Sequence, residues 1–600
     1  MAKCETIDLF QLVHESAPFT FSRDDILQQI VHILVLSNVM LKDEVEELFE
    51  INFVEFIRRD MEGTDLYTRR RIAQIQNCLG SFAASPKENW KCKDCAIYLV
   101  VSLATKRAGG SSVSTELVEV DKFFRSVIVP ELRQQDVNAS LMLKAAALKF
   151  FTVFWNQVPK YITISLLPVV ICFLTADSNV VHSYAATCIE KLFLVIDDGS
   201  KARYTSADLS PVLLMLMTNL FTALKKTDSE DNQYVMKCIM RVLGIADITK
   251  DVYLQCISGL ATVLMRVCQN PINHIFNHYL FESVAVLIRW GTEEDPPFCQ
   301  KLKMSFFLSS KWYWLKKYLK VWKRTANVPA LVRLLLAFLR KAPLELNQQG
   351  KLLMVLGIFN TLVSSHITDE FGFYVLNTVI ENVGYDVLST YISHIWDPLY
   401  ERLDFNLTEK FTKSLLIFMS LFLVKYEAKN LVNSMNDVRP NAFPAILEKV
   451  WMPNLKLITG PLEIKLTSVE PIRLINESPT SLDSKLWRKM LDSVVTLLSR
   501  PEEERVLEEL EVPDFWETVF DNPTFVHLYN AEKKEEDPLK EIMDPKLFLQ
   551  IKPHYCSFAA HITFYSEVFP ILLLWWPSGV RVRLYVSFDK NEVHIATPKN

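Results

Sequence analysis

Residues 166–192 read LLPVVICFLTADSNVVHSYAATCIEKL: an apolar helix opening at LLPVV, a polar turn at Asp177-Ser178-Asn179, and a second helix carrying the small pair Ala185-Ala186. The same plan stands upstream, where residues 127–132 (VIVPEL) open a helix, residues 134–138 make a turn, and a second helix carries Lys144-Ala145-Ala146-Ala147. It recurs downstream, where SPVLL surrounds Pro211 and residues 234–242 close the unit with Cys238 in the small position. Pro130 to Pro168 is 38 residues, Pro168 to Pro211 is 43, and Ala145 to Ala185 is 40. A period near 40 with two helices per unit is the mark of HEAT-type repeats. Small residues let each second helix approach its neighbour, and the apolar stripes stack into one continuous core. The prolines belong near a helix start or a bend, where a missing N–H costs least.

Composition agrees. At 600 residues the chain exceeds what one core can hold, about 250–300 residues. It has 14 glycines, or 2.3%, against a usual share of about 7%. Nucleotide-binding sheets and barrels need glycine at tight turns and phosphate loops. The expectation is an all-α chain, an α-solenoid of HEAT-type repeats, with no strand between residues 30 and 550. Helical style continues at residues 328–340, 373–383, 411–426 and 486–499, joined by short polar connectors such as 109–114 and 197–202.

Charge and cysteines narrow the function. Lys plus Arg number 65 against 70 Asp plus Glu, a net charge of −5, which argues against a nucleic-acid binder with a basic face. Eleven cysteines lie scattered, many in apolar runs such as 170–174, and read as buried thiols of a reducing compartment. The first residues lack the apolar run of a signal peptide. No stretch reaches the ~18 consecutive apolar residues of a membrane span, since residues 415–424 are interrupted by Ser420 and residues 571–576 end at Pro577.

Catalytic patterns are missing. Gly350-Lys351 lacks the upstream glycine of a phosphate loop, and there is no G-x-S-x-G or H-E-x-x-H. Cys92-Lys93-Asp94-Cys95 has redox or metal spacing without a second pair or a histidine nearby. His274, His278 and Glu282 share a helix face, but i to i+8 spans about 12 Å, too far for one ion. Residues 311–324 (KWYWLKKYLKVWKR) interleave basic and aromatic side chains. This is the pattern of a helix that meets anionic lipid, nucleic acid or an acidic partner, and more often of a solvated face with aromatic anchors into the core. No catalytic residue, cofactor or metal is expected, and the chain is not expected to be an enzyme. Residues 502–521 hold nine carboxylates against Arg505 alone.

Six blocks carry a resemblance: FIRRDMEGTDLYTRRR (56–71), NWKCKDCAIYLVVSLATK (89–106), VVHSYAATCIEK (180–191), FNHYLFESV (276–284), NVPALVRLLLAFLRK (327–341) and KKEEDPLK (533–540). Together these closely resemble CAS-type exportins (the cellular apoptosis susceptibility family) of the importin-β superfamily, with wording nearest to plant members. The resemblance runs from about Ile30 to Gln550. It divides the chain into a non-family segment 1–29, a central HEAT region 30–270, a C-terminal CAS-type region 271–550 and a divergent tail 551–600. The family's long N-terminal repeats have no counterpart. About one helix is lost between Gln76 and Gly80, and the usual repeat pair is shortened between Gly291 and Val321. After Gln550 the family's last helices give way to strand-like alternation through Val580, Val582, Leu584, Val586 and Phe588.

What the resemblance implies is a nuclear export receptor that holds importin-α together with the GTP form of Ran and shuttles between nucleus and cytoplasm. It would act as a monomer, contact nucleoporins in transit, and neither bind nucleic acid nor insert in a membrane. A HEAT scaffold without Ran dependence is the alternative. The candidate protein-binding residues are the charged turn Arg58, Arg59, Asp60, Glu62 and Asp65, and the acidic run Glu502, Glu503, Glu504, Glu508 and Glu509. A hairpin near residues 580–595, turning at 589–591, is expected in the tail.

Overall fold

Polar turns separate paired helices, and their side chains cap the second helix. Ser178 Oγ accepts from the Val181 N–H, Asn232 Oδ1 from the Tyr234 and Val235 N–H groups, and Thr408 Oγ1 from Phe411. Each satisfies donors that a helix start leaves without intrahelical partners. Asp228 and Asn441 take the left-handed conformation, with φ of 61° and 60°, a region these short polar residues enter most readily after glycine.

The computed structural model describes residues 43–57, 72–108, 111–114, 119–197, 201–269, 273–294, 328–341, 351–405, 407–477, 484–500, 537–542, 545, 572–575, 581–589 and 592–596. They fall into two compact units, chiefly before and after Leu335. In the first, Ile72–Ala84 pairs with Trp90–Ala104, Lys160–Cys172 with Asn179–Leu192, and Lys250–Gln269 with His274–Glu294. Two first helices are composite. Val120–Phe123, Phe124–Ile128 and Val129–Leu132 run into one bent helix before Leu141–Phe154, and Ser206–Leu209, Ser210–Val212 and Leu213–Ala223 into another before Gln233–Ile245. Second helices stack on second helices, from Leu141–Phe154 to Asn179–Leu192, Gln233–Ile245 and His274–Glu294, and first helices on first helices. The close approach is visible at Gly259, where a Cβ would lie 2.6 Å from the Phe221 ring.

The second unit repeats the plan. Lys351–Val363 pairs with Asp369–Asn382, and a composite helix ending in Ile392–Phe405 pairs with Glu409–Val438. Pro461–Glu477 packs on Glu409–Val438 and on Ser484–Ser499.

The expected HEAT-type all-α fold is therefore found, with four corrections. The runs at 127–132 and 166–170, expected to open helices, lie late in helices that begin at Val120 and Lys160. Pro168 lies inside Lys160–Cys172, and Pro130 lies near the end of its helix, just after the π-turn Phe124–Ile128. The π-turn Leu447–Trp451 stands in the same relation to Pro453. A proline cannot donate to the carbonyl four residues back, and a local widening of the helix accommodates the gap.

The small positions are the second correction. Ala185, Ala186 and Cys238 are fully buried and Ala145 nearly so, but Ala146 is only half-buried and Ala147 faces the core instead. Leucine at 185 has no room between the stacked helices. Ala185→Leu is expected to destabilise by about 1–3 kcal/mol through overpacking, read as a lowered thermal or urea midpoint.

Third, two connectors form strands within the span expected to have none. Thr105–Ala108 pairs antiparallel with Ser111–Ser114, and Ile196–Asp197 with Lys201–Ala202. The intervening sequences contain Gly109-Gly110 and Asp198-Gly199, dipeptides that favour tight hairpins. Fourth, Cys172 is exposed, whereas Cys78, Cys95, Cys188, Cys238 and Cys256 are buried. The tail behaves as expected and adds a strand. Arg581–Asp589 pairs with Glu592–Ala596 and also with Leu572–Trp575.

Among the described residues one helical run, Ser206–Ala223, is long and apolar enough to cross a membrane. It contains the 3-10 turn Ser210–Val212 and packs against neighbouring first helices.

One residue is strained. The helix Glu409–Val438 is broken at Glu427, with φ 68° and ψ 160°, a region populated essentially by glycine and costing other residues about 1–3 kcal/mol. Side chains cover the break: Asn430 Nδ2 donates to the Tyr426 carbonyl (2.7 Å), and Tyr426 Oη donates to the Ile380 and Val383 carbonyls. The Glu427 side chain is exposed, so little packing is lost by removing it. Glu427→Gly is expected to stabilise the second unit by about 1 kcal/mol, the strain relieved less the backbone entropy of glycine, read as a raised urea midpoint.

Candidate partner-binding surface

The charged turn proposed from sequence begins directly after a described anchor. Phe53–Ile57 packs on the second helix Asn179–Leu192, with Phe56 and Ile57 buried and the Phe56 ring 6.4 Å from that of Tyr184. Upstream, Asp43–Ile51 is tied by Lys91, whose Nζ lies 2.9 Å from Asp43 and 3.0 Å from Glu46. Arg58, Arg59, Asp60, Glu62 and Asp65 themselves lie outside the described residues, as do Glu502, Glu503, Glu504, Glu508, Glu509 and the stretch 311–324. The acidic run follows Ser484–Ser499, where Arg500 Nη1 donates to the Lys456 and Ile458 carbonyls at 2.6 and 3.1 Å.

The second helices of the first unit are buried on nearly every side and carry charge inside. Glu190 accepts from Arg241 Nε at 3.1 Å, with both side chains at most 9% exposed. Burial alone would raise the Glu190 carboxyl, but Lys237, Lys191 and Arg241 reverse this and hold it at about 2. Glu282 pairs with Arg333, Lys93 with Glu131, and in the second unit Asp369 with Arg402 at 2.8 Å.

Those pairs engage residues of two motifs read in the sequence. Glu282 is engaged by Arg333 and His278 is buried beside Tyr279, and no metal-holding cluster occurs among the described residues. In Cys92-Lys93-Asp94-Cys95, Lys93 is taken by Glu131. The Cys95 and Cys78 thiols face each other, an interaction that lowers the Cys78 pKa and, with burial, raises that of Cys95.

Sequence reading missed the outward face of the first helices. Beyond Lys160, the exposed side chains of Lys160–Cys172 and Leu213–Ala223 carry no charge. Tyr161, Leu214, Leu254 and Met265 project from three consecutive first helices at 68%, 55%, 42% and 62% exposure. Gln255 Nε2 donates to Thr218 Oγ1 (2.8 Å), joining two of these helices on the surface. Near Tyr161 an open cleft of about 420 Å3 is floored by Val120, Phe124 and Val158 and rimmed by Glu119, Asp121 and Lys122. Charged side chains stand among the projecting apolar ones, Arg125 beside Tyr161 and Lys250, Asp251 and Arg266 on the third helix, and a partly apolar surface over several repeats is the kind that binds other chains. The available signal was the unbroken LLMLM at 213–217, too apolar for one buried stripe.

Comparison with known proteins follows this architecture. A family model described as the CAS/CSE protein C-terminus matches residues 190–312 and 315–559, and one described as Cse1 matches residues 4–74 and 72–189. The second match takes in most of residues 1–29. Exportin-2 of Bos taurus and of Homo sapiens are each 33% identical over 90% of this chain and 62% of their own length. Exportin-2 of Xenopus laevis is 31% identical over the same shares. The solved structure "The exportin Cse1 in its cargo-free, cytoplasmic state" aligns with TM-score 0.62 and 25% identity over 91% of this chain and 62% of that one. The chain thus spans about three fifths of the length of these relatives.

Proposed function

This chain belongs to the CAS/CSE protein family, and from that premise we propose that it is a nuclear export receptor that binds importin-α together with the GTP form of Ran. The observation that carries the reading is the family match over both helical units, joined to the likeness to the Cse1 exportin over 91% of the chain. Binding is the whole of the activity, with no catalytic step. Stacked repeats suit it, because a repeat array offers a long surface to an extended partner. The charged turn from Arg58 to Asp65 and the acidic run from Glu502 to Glu509 are the proposed polar contacts, the acidic run suiting a basic segment of cargo. The partly apolar first-helix face around Tyr161, Leu214 and Leu254 is the proposed contact with nucleoporins during shuttling. Residues 30–270 and 271–550 serve as the central and C-terminal receptor regions.

Immobilised chain is expected to retain importin-α more strongly when GTP-locked Ran is present, and Glu502→Lys with Glu503→Lys and Glu504→Lys is expected to weaken that retention. Equal retention with and without Ran would assign a HEAT scaffold without Ran dependence.

A further inference from the structure

We infer that the two helix pairs at 160–192 and 206–245 form a single rigid block, opening and moving together. The joint between them is crossed by polar contacts at three levels. At the turn edge, Lys226 Nζ donates to the Thr175 and Ala176 carbonyls (2.6 and 2.7 Å) and pairs with Asp177, capping the end of the preceding first helix. In the interior, His182 Nε2 lies 2.8 Å from Ser229 Oγ, Asn232 Nδ2 donates to Ser183 Oγ at 2.7 Å, and Glu190 holds Arg241. At the opposite edge, Lys160 Nζ reaches Asp208 Oδ2 (2.6 Å) and the Arg203 carbonyl (2.8 Å).

The chemistry of these contacts makes the joint stiff. Apolar helix faces slide by small steps because dispersion contacts are replaced as they are lost. Buried directional contacts do not, because a shift that parts Glu190 from Arg241 leaves a desolvated charge without its partner. Repeat arrays ordinarily behave as separate units coupled to their neighbours. Here the coupling is strong enough for the two pairs to act as one cooperative element.

Native-state hydrogen exchange on the full chain, followed by mass spectrometry in increasing urea, tests this. Amides of Asn179–Leu192 and Gln233–Ile245 are expected to open together, with one shared urea dependence. In Glu190→Gln, and separately in Asn232→Ala, protection of both helices should fall by at least tenfold while Pro461–Glu477 is unchanged. Wild-type helices that open with different urea dependences would overturn the block, as would a variant that loses protection in one pair only. The wild-type measurement decides even if a variant fails to fold.

Discussion

Glu190→Ala is expected to lower the stability of the first unit by about 3–5 kcal/mol, the usual cost of removing one partner from a buried ion pair. Arg241 is buried on the neighbouring second helix, and its Nε donates to the Glu190 carboxylate. Alanine removes the carboxylate that accepts from Arg241 Nε and leaves the cations Lys191 and Lys237 nearby. The penalty is chiefly desolvated positive charge, so a double variant with leucine at both 190 and 241 should recover much of the loss. Urea unfolding of wild type, single and double variants reads this out. A single variant within about 0.5 kcal/mol of wild type, the scale of an ordinary surface change, would show that the pair adds little.

Acid should weaken the same region through His182. Burial lowers this imidazole to about 4 from an ordinary 6.5, helped by the Lys226 charge and opposed by the Ala176 carbonyl and Asp177. A carbonyl only accepts, so Nδ1 carries the proton toward Ala176 (3.2 Å) and Nε2 accepts from Ser229. Asn232 Nδ2 donates to Ser229 Oγ at 3.1 Å, which completes a network suited to the neutral ring. The folded pKa lies below the unfolded one, so between pH 6.5 and 4 the unfolded chain binds the extra proton. The contribution is full above pH 6.5 and is lost as pH falls toward 4. It amounts to about 3 kcal/mol at 1.36 kcal/mol per unit. Comparing urea midpoints at pH 7 and pH 4.5 should show a fall that is smaller in His182→Gln. An identical fall in the variant would assign the acid lability to other groups.

The repeat was legible because its signals are local. Helix-period apolar stripes, turns rich in Asp, Ser and Asn, and small residues at a spacing near 40 all act within a few residues of where they are read. The errors came where a local pattern had two structural solutions. An apolar run with a proline fits the start of a helix or its interior, and the runs around Pro130 and Pro168 lie inside helices that began earlier. Ala145, Ala146 and Ala147 looked equivalent, and only the neighbouring helix sets which of them faces inward. The inter-repeat pairs join residues 33–51 positions apart, and no single-chain pattern says which acid meets which base. The first-helix face was hidden for a related reason. Leu214 and Met215 read as core until the stack shows that Leu213, Leu216 and Met217 already fill it.

Calorimetric titration of importin-α into the full chain, alone and with saturating GTP-locked Ran, tests the central claim most directly. A receptor whose two ligands stabilise one wrapped form shows reciprocal coupling of about 1–3 kcal/mol, roughly 5–150-fold in affinity. The account predicts a tightening within that range when Ran is present. Equal affinities in the two titrations would contradict it.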